Sequence, residues 1–600
     1  MRKKVSLDGI WKFCPAFVEL EANQRFMDED FDPECDERYE GSRRDVGWIE
    51  PGFDDSGWLD IPVPDSWNKA IPELWSYEGF GWYRREIDIP SSWADKKVLF
   101  ACESSNYETT VYVNGERAGV HEGGYTPFSI PIHDHLRFGE TNQLAISVDN
   151  IPKPERCPGG EFGWWNYGGM FRSTSLLVTE RTYIEDAVVV TRPGREIASV
   201  KVHIVVSGEE NPATGLKIDA QLSHDGDTIS RASKELGKTD EGEIDLELAV
   251  ENPLLWSPED PNLYDLSLHL ARDSQSLDSV NLRVGIRSIE VEGDQILLNG
   301  SPILIKGLNR HPEYPETGHT EREEDLVKDL RIIKNLGANA LRCHYPNSRR
   351  TYELCDEMGI LFLCEIPFYQ WGRPEVKADS PEALDSAKRQ LVEMIKSFRN
   401  HPCVFMWSVS NETMTKPRRD TDRYRELAEM TVKGNIELVE LARELDPTRP
   451  VVEVSNCWPG DAVLDRTDVS AVNLYIGSST PHVDTLHELA EKMHSRFEEL
   501  RREQPSKPIL VAEFGSWAIR GLRTDYFPGE DYQAVLIEEY WEALLKEPGF
   551  AGGFIWCYQD SDVHRRFEWD YEFRIAYGLY DLQRRPKESA SVVRSLWKEE

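Results

Sequence analysis

Two short apolar segments, residues 404–412 and 509–515, both carry a glutamate at their carboxyl end. The first reads Val-Phe-Met-Trp-Ser-Val-Ser-Asn-Glu and ends at Glu412; the second, Ile-Leu-Val-Ala-Glu-Phe-Gly, contains Glu513. Both are rich in β-branched and aromatic residues, which is typical of a strand buried on both faces. The pattern therefore makes Glu412 and Glu513 candidates for one pair of carboxylates.

Two facing carboxylates can cleave a glycosidic bond. One stays protonated and assists the leaving oxygen, while the other is ionised and attacks or stabilises the sugar carbon. Because about a hundred positions separate Glu412 from Glu513, the fold must gather distant strand ends, as a (β/α)8 barrel does. The alternative is that each glutamate only begins the next helix, where its charge suits the helix dipole. The matching ends of the two segments favour the pair.

The segment 288–600 alternates short apolar runs with stretches of helical spacing, such as Leu326, Leu330 and Ile333. This rhythm predicts a C-terminal TIM barrel in which Glu412 ends the fourth strand and Glu513 the seventh. The eight predicted strands are 303–307, 340–343, 361–365, 404–410, 451–455, 469–474, 509–513 and 553–557.

The segment 1–179 reads as short strands and turns, which predicts an N-terminal jelly-roll β-sandwich. Asn114-Gly115 is a tight hairpin signal, and the acidic stretch 19–50 is interpreted as a loop or insertion. The predicted strands include 83–89, 98–101, 109–113 and 144–148.

The segment 180–287 alternates apolar and polar residues, as in 200–206 and 244–250. About seven strands in a hundred residues predict an immunoglobulin-like β-sandwich. The stretch 151–173 is dense in glycine, proline and aromatic residues, which could either stack on a sugar or pack between domains.

The chain has 600 residues, with 69 Lys plus Arg against 107 Asp plus Glu, so its net charge is −38. This charge argues against nucleic acid or an anionic membrane as a partner, and it reflects solubility or a salt-rich habitat.

There is no apolar run of about twenty residues, and Asp8 and Gly9 interrupt the place of a signal-peptide core. The ten cysteines and the histidines show no metal-binding spacing. We expect a cytoplasmic, homo-oligomeric protein without a metal or other cofactor.

Nine short motifs are spread over the chain: 54–58 (Asp-Asp-Ser-Gly-Trp), 63–68 (Val-Pro-Asp-Ser-Trp-Asn), 123–128 (Gly-Gly-Tyr-Thr-Pro-Phe), 255–258 (Leu-Trp-Ser-Pro), 298–302 (Leu-Asn-Gly-Ser-Pro), 306–311 (Lys-Gly-Leu-Asn-Arg-His), 400–402 (Asn-His-Pro), 407–412 (Trp-Ser-Val-Ser-Asn-Glu) and 512–515 (Ala-Glu-Phe-Gly). Through these motifs the chain resembles glycoside hydrolase family 2, the family of β-galactosidases, β-glucuronidases and β-mannosidases, along essentially its whole length. The resemblance implies a glycosidase with a carbohydrate substrate.

The resemblance also implies the roles of the central residues. Glu412 corresponds to the acid/base, Glu513 to the nucleophile and Asn411 to the ligand of the sugar 2-hydroxyl. Arg342 is expected to keep Glu513 ionised, with a low pKa, through a charge-assisted bond. Tyr475, after the sixth strand, could donate to the same carboxylate.

Further residues resemble positions that contact the sugar at the ends of strands one, two and eight, namely His311, His344 and Trp556. A structural histidine is the alternative for both His311 and His344. Glu365 could also face the barrel mouth, although an interior salt bridge with an arginine would give the same sequence pattern.

Two departures from the family pattern bear on specificity. Pro312 follows the Arg-His of the first strand, so the acidic role often found there is not assigned to Glu313. The β-glucuronidases carry an Asn-x-Lys pair after strand eight, whereas 574–578 reads Arg-Ile-Ala-Tyr-Gly.

The segment after strand eight is instead acidic, and an acidic field suits neutral hydroxyls. We therefore expect a retaining exo-β-glycosidase acting on a β-galactoside. A β-glucuronide or β-galacturonide is the alternative if one of three arginines turns inward. A non-catalytic carbohydrate-binding protein is a further alternative, but it would not need both carboxylates. The acids and arginines concerned are Asp560, Asp562, Glu568, Asp570 and Glu572, and Arg565, Arg566 and Arg574.

Overall fold

The computed structural model describes residues 2–16, 47–208, 215–236, 242–273, 275–563 and 574–598. Three hydrophobic cores organise these residues, one in each of three successive parts of the chain. Most of the acidic stretch 19–50, which we interpreted as a loop, lies outside the described residues.

The first part is a β-sandwich, as the sequence predicts. Its strands are β1 (Lys3–Ser6), β2 (Gly9–Pro15), β3 (Leu59–Val63), β4 (Phe80–Asp88), β5 (Lys97–Cys102), β6 (Glu108–Val113), β7 (Glu116–Glu122), β8 (Phe128–Pro131), β9 (Thr141–Asp149) and β10 (Thr174–Thr179), with a short helix α1 (Trp67–Ala70) and 3₁₀ turns at Pro72–Leu74, Ser91–Trp93 and His133–His135. A six-stranded sheet has the order β3-β2-β4-β9-β6-β7, and a four-stranded sheet has the order β1-β10-β5-β8. The hairpin at Asn114-Gly115 joins β6 to β7, and both residues have positive φ (+53° and +88°).

The second part is a sandwich of a three-stranded sheet, β11-β12-β15, and a four-stranded sheet, β14-β13-β16-β17. In β15 every second residue is buried, and this alternation supplies one face of the core. The strands are β11 (Tyr183–Arg192), β12 (Ile197–Ser207), β13 (Leu216–His224), β14 (Asp227–Glu235), β15 (Glu243–Glu251), β16 (Tyr264–Arg272) and β17 (Gln275–Val284).

A small antiparallel sheet of β18 (Ile289–Glu292), β19 (Gln295–Leu298) and β20 (Ser301–Pro302) leads into a closed barrel of eight parallel strands. The barrel strands are β21 (Ile305–Asn309), β22 (Ala340–Cys343), β23 (Leu361–Glu365), β24 (Val404–Asn411), β25 (Val451–Ser455), β26 (Ser470–Asn473), β27 (Ile509–Phe514) and β28 (Phe550–Ile555), and a short pair follows, β29 (Ser561–Asp562) and β30 (Arg574–Ile575). The helices are α2 (Glu323–Asn335), α3 (Arg349–Met358), α4 (Glu382–Phe398), α5 (Asp422–Leu445), α6 (Leu489–Glu503), α7 (Glu530–Leu544) and α8 (Glu588–Lys598), with 3₁₀ turns at Pro374–Val376 and Val483–Glu488.

The barrel confirms the predicted fold class, and three of its strands have the predicted bounds. The eighth strand begins at Phe550, three residues before the predicted start at Gly553. A Cβ at Gly552 would stand 2.3 Å from the carbonyl oxygen of Ile305, so the glycine permits close approach of the first and last strands. The strand ends at Ile555, two residues before the predicted end, so Trp556 lies just beyond it rather than within it.

Aromatic residues of the first sandwich cover the barrel mouth. Trp164 is fully buried; its ring lies 5.8 Å from that of His344, and its indole N–H donates to Tyr125 at 2.8 Å. The Tyr125 ring stacks on Tyr345 of the barrel at 4.2 Å. The stretch 151–173 was expected either to stack on a sugar or to pack between domains. Trp164 packs between the first sandwich and the barrel.

The barrel interior leaves no room for a methyl group at Gly307. A Cβ there would stand 2.2 Å from the buried ring of Phe554. We expect Gly307→Ala to lower the free energy of unfolding by about 1–3 kcal/mol through overpacking. Gly57→Ala is the matched control, because its Cβ meets nothing within 4 Å, and it should change stability by less than about 0.5 kcal/mol. Denaturant unfolding of both variants tests this; equal midpoints would contradict it.

Candidate active site

The guanidinium of Arg342, on β22, joins four side chains in the barrel interior. It is fully buried and donates to Glu513 Oε1 at 2.9 Å and to Glu365 Oε2 at 2.9 and 3.0 Å. It also donates to Asn411 Oδ1 at 2.8 Å and to Asn309 Oδ1 at 3.0 Å. One rigid fork therefore sets the positions of residues from four barrel strands.

The carboxylate of Glu513 is held on both oxygens. Arg342 donates to Oε1, and the Tyr475 hydroxyl donates to Oε2 at 2.8 Å. His344 Nε2 lies 3.7 Å from Oε1. The structure thus brings together the residues that the sequence links to Glu513.

The expectation of a low pKa for Glu513 is wrong. Burial raises the pKa above the ordinary value for a glutamate, and the nearby charge of Glu412 adds to the rise. Arg342 and His344 lower the pKa but do not outweigh the loss of hydration. Sequence reasoning named the cation correctly and left out the cost of burying the carboxylate.

Glu412 follows β24 and differs from Glu513 in backbone and in partners. Its φ is +54°, a left-handed conformation that a non-glycine residue adopts only when its surroundings enforce it. Its N–H donates to the carbonyl of Val454 at 2.8 Å. Neutral amides hold its carboxylate, Asn473 Nδ2 at 2.9 Å from Oε1 and Gln370 Nε2 at 3.2 Å from Oε2.

A buried polar network behind Glu412 fixes the next residue. Thr413 donates its hydroxyl to Glu453 Oε1 at 3.2 Å and accepts from Asn435 Nδ2 at 3.0 Å. Asn435 in turn accepts from the Ser410 hydroxyl at 2.6 Å. Glu453 is fully buried, and burial with the nearby Asp461 raises its pKa well above the ordinary value. The network holds the chain on both sides of the strained position.

Glu365 was expected either to face the barrel mouth or to form an interior salt bridge with an arginine, and the structure shows the salt bridge. Arg342 donates to both of its oxygens, and Ser408 donates to Oε2 at 2.7 Å. His344 Nδ1 lies 2.9 Å from Oε1. Glu365 therefore orients Arg342 and His344 from beneath the mouth.

The remaining predicted residues form an aromatic wall. The ring of Trp556 lies 5.0 Å from that of His344 and 5.5 Å from that of His311. His311 Nδ1 shares a hydrogen bond of 2.9 Å with the Tyr345 hydroxyl. Burial lowers the pKa of His311 well below its ordinary value, so the ring is neutral.

Sequence reasoning did not single out several residues near the two carboxylates: Tyr369, Gln370, Arg373, Asn435, Glu453, Asn473 and Tyr577. Arg373 Nη2 lies 3.8 Å from Glu412 Oε2. The Tyr577 ring lies 6.2 Å from that of Tyr475. Glu453 carries the one visible signal, a charged residue within the apolar run Val-Val-Glu-Val. The others are polar or aromatic residues of loops and a strand end, or in the case of Asn435 of helix α5, with no periodic signature.

The acidic residues after β28 that the structure describes have cationic partners. Asp560 pairs with buried Lys587 at 2.7 Å, although burial still raises its pKa to about 6. Asp562 lies 3.1 Å from Arg574 and 3.8 Å from Lys69 of the first sandwich. The uncompensated acidic field expected here is therefore absent from the described part of this segment. Arg565, Arg566, Glu568, Asp570 and Glu572 lie outside the described residues.

Glu313, after the departure at Pro312, is fully buried away from the Arg342 cluster. Its Oε1 accepts from the Tyr167 hydroxyl at 2.9 Å and from the backbone N–H of Asp562 at 3.2 Å. Burial, together with the charge of Asp562, raises the pKa of Glu313 to about 8. This carboxyl joins the first sandwich to the segment after β28.

Within the described ranges, no group of three or more His, Cys, Asp or Glu side chains is arranged to hold a metal ion. In the same ranges no helix combines the length and apolar character needed to cross a membrane.

Comparison with known proteins links all three parts of the chain to one family. Residues 4–180 match the sugar binding domain of glycosyl hydrolases family 2, residues 182–287 match glycosyl hydrolases family 2, and residues 289–599 match its TIM barrel domain.

Relatives of known activity match most of the chain. The β-glucuronidase of Rattus norvegicus is 29% identical over 630 residues, which cover 98% of this chain and 89% of that protein. A β-galactosidase of Thermoanaerobacter pseudethanolicus is 32% identical over 409 residues, covering 66% of this chain and 52% of that protein. The structure of the Ruminococcus gnavus β-glucuronidase in complex with D-glucuronic acid has a TM-score of 0.83 and 25% identity, and the match covers 100% of this chain and 98% of that one. The chain therefore belongs to glycoside hydrolase family 2.

Proposed function

We propose that this glycoside hydrolase is a retaining exo-β-glycosidase in which Glu513 is the nucleophile and Glu412 the acid/base. One observation carries the proposal: the two glutamates share a site but have different partners. Arg342 and Tyr475 hold Glu513 in a fixed orientation, whereas amides of Asn473 and Gln370 hold Glu412. Different environments for two identical groups are what acid and nucleophile roles require.

The reaction proceeds in two displacements. Glu513 attacks the anomeric carbon while Glu412 gives its proton to the glycosidic oxygen, so the aglycone leaves as an alcohol and a glycosyl ester remains. Glu412, now ionised, then removes a proton from water. The water oxygen attacks the anomeric carbon, the ester bond to Glu513 breaks, and the sugar is released with its original configuration.

Asn411 is suited to hold the sugar 2-hydroxyl. Its Oδ1 accepts from Arg342 at 2.8 Å and from Asn473 Nδ2 at 3.3 Å. With its oxygen engaged, the amide presents its NH₂ group as a donor to a hydroxyl. A bond that strengthens as the ring distorts lowers the barrier rather than only binding the substrate.

For the sugar itself we propose a β-glucuronide. Relatives that match nearly the whole chain are β-glucuronidases, and one related structure contains D-glucuronic acid. The electrostatic reason for expecting a neutral sugar is also weaker, since Asp560 and Asp562 are paired. We propose that Arg574, which already lies at this segment and keeps 43% of its side chain exposed, meets the substrate carboxylate.

A β-galactoside is the second candidate. The Asn-x-Lys pair of the β-glucuronidases is absent from 574–578, and one relative is a β-galactosidase. A carboxylate transferred into the site without matching donors would lose several kcal/mol of hydration. The two candidates therefore differ in whether a cation faces the sugar C5 substituent.

The sugar can be identified by comparing kcat/KM for 4-nitrophenyl β-glucuronide, β-galacturonide and β-galactoside. We expect the glucuronide to be preferred by about 100-fold, because a charge-assisted bond to a carboxylate contributes roughly 1.5–3 kcal/mol and its neutral isostere leaves the cation unpaired. Arg574→Gln should remove most of this preference. Arg585→Gln, a more exposed arginine paired with Asp581, should not. A galactoside preference would contradict the sugar assignment, and an unchanged ratio in Arg574→Gln would contradict only the role of Arg574.

The roles of the glutamates can be separated by leaving-group quality. Glu412→Ala should lower kcat/KM by about 10²–10⁴-fold for alkyl glycosides and much less for 2,4-dinitrophenyl glycosides, which leave without protonation. Azide should restore its turnover by replacing the water that needs a base. Glu513→Gln should be inactive on both substrates while its fold stays intact. If the two variants respond alike to the leaving group, the assignment is wrong.

The hydrogen bond from Tyr475 should set the acidic limit of activity. Glu513 must be ionised to attack, and its raised pKa means that activity is lost as pH falls through that pKa. Removing a donor to the charged form raises the pKa further, so Tyr475→Phe should move the acidic limb of kcat/KM to higher pH. On that limb we expect a loss of about tenfold or more.

Tyr577→Phe is the matched control for this change. Tyr577 lies near the same carboxylates but forms no hydrogen bond to Glu513 among the described residues. The acidic limb of the kcat/KM–pH profile of Tyr577→Phe should coincide with that of the wild type. Superimposable limbs for wild type and Tyr475→Phe would show that the hydroxyl does not stabilise the carboxylate.

A further inference from the structure

Four arginines and no acidic residue line a cavity of about 250 Å³ between the second sandwich and the barrel. The arginines are Arg192, Arg287, Arg399 and Arg449. The other lining residues come from β11, from the junction of β17 and β18, and from the loops that precede β24 and β25. In a chain with a net charge of −38, such a concentration of positive charge requires a physical reason.

Three of these arginines are more than nine-tenths buried. Arg287 retains 6% exposure, Arg399 8% and Arg449 9%. A guanidinium stays charged in proteins, and a buried charge is costly unless it is paired. We therefore ask, for each buried arginine, whether a carboxylate balances its positive charge.

Two of the buried arginines have a carboxylate partner. Arg449 Nη1 donates to Asp446 Oδ2 at 2.7 Å, and Arg399 Nη2 donates to Asp186. Arg399 Nε, however, is buried and has no hydrogen-bond partner among the described residues. These pairs balance two of the three buried charges.

Arg287 has no carboxylate partner in the described part of the chain. Its Nε donates to the Pro402 carbonyl at 2.9 Å and its Nη2 to the Val404 carbonyl at 2.7 Å, while Nη1 has no partner there. Burial and the neighbouring charge of Arg449 lower its pKa to about 9. Carbonyl groups satisfy hydrogen bonds but leave the charge unbalanced.

We propose that this cavity binds a small inorganic oxyanion of the phosphate or sulfate class. Such an ion matches the donor geometry of guanidinium forks, and it would balance Arg287 and the exposed Arg192. The cavity has room for it with several waters, each of which takes about 30 Å³ in the liquid. The anion links β11 of the sandwich to the residues before β24 of the barrel.

The cavity lies at the opposite end of β24 from the catalytic residues. Arg287 and Arg449 both donate to the carbonyl of Val404, the first residue of the strand, whereas Asn411 ends it. Binding should therefore stabilise the joint between the two domains without changing the rate of the chemical step.

Crystals of the full chain soaked in sodium selenate, an anomalous analogue of sulfate, test the site directly. We expect an anomalous peak within hydrogen-bond distance of Arg287 Nη1. No peak in the cavity would overturn the proposal. A parallel soak in sodium bromide is the control. If bromide gives an anomalous peak in the cavity and selenate gives none, the oxyanion assignment is overturned.

Solution binding gives an independent result. The thermal unfolding midpoint should rise saturably with phosphate at constant sodium concentration, while kcat/KM stays within experimental error. Arg287→Met should weaken the apparent affinity at least tenfold, and Arg192→Gln, which breaks no carbonyl bond, by several fold. Arg195→Gln, an exposed arginine outside the cavity, should bind as wild type does.

The variants also separate a specific site from the general effect of salts on burial. A general effect would not saturate and would be the same in all three variants, and that result would overturn the proposal. If Arg287→Met does not fold, Arg192→Gln and the selenate soak still decide the outcome.

Discussion

The buried charge of Arg342 is the constraint on which the candidate active site depends. Its guanidinium holds Glu365 from below and Glu513 from the side, and it also fixes the amide of Asn411. A guanidinium at zero exposure requires carboxylates, and two carboxylates so close together require the guanidinium. Removing one partner from such an arrangement costs roughly 3–5 kcal/mol. Stability and catalysis therefore share one set of bonds.

The two glutamates show how one fold gives two chemical roles to one residue type. Glu513 lies within β27 and is held by a cation and a hydroxyl. Glu412 lies one residue beyond β24, in a left-handed conformation enforced by the Val454 carbonyl and by the network around Thr413. That strain places its carboxylate beside the amides of Asn473 and Gln370 and 3.8 Å from Arg373, and it leaves the side chain 15% exposed at the mouth. Position along the strand, rather than residue type, separates the proposed acid from the proposed nucleophile.

Ion pairs between residues far apart in the sequence set the local charge in this acidic chain. Lys69 of the first sandwich and Lys587, which precedes the last helix, neutralise Asp562 and Asp560 beside the barrel mouth. At the other end of the barrel, Arg287 is buried and has no carboxylate partner among the residues that the structure describes. The overall charge of −38 therefore describes the surface as a whole and says little about the sign of any one cavity. The predicted cytoplasmic location and homo-oligomeric state stay predictions.

The sequence by itself determined the barrel, its strand order and the two strand ends that carry Glu412 and Glu513, because buried parallel strands leave long apolar runs that local patterning reveals. The resemblance supplied Asn411, Arg342 and Tyr475. Only the tertiary structure decided that burial raises the pKa of Glu513, that Glu365 is the salt-bridge partner of Arg342, and that distant lysines balance the acids after β28. Each of these depends on desolvation or on contacts between residues far apart in the chain, and neither quantity has a local sequence pattern.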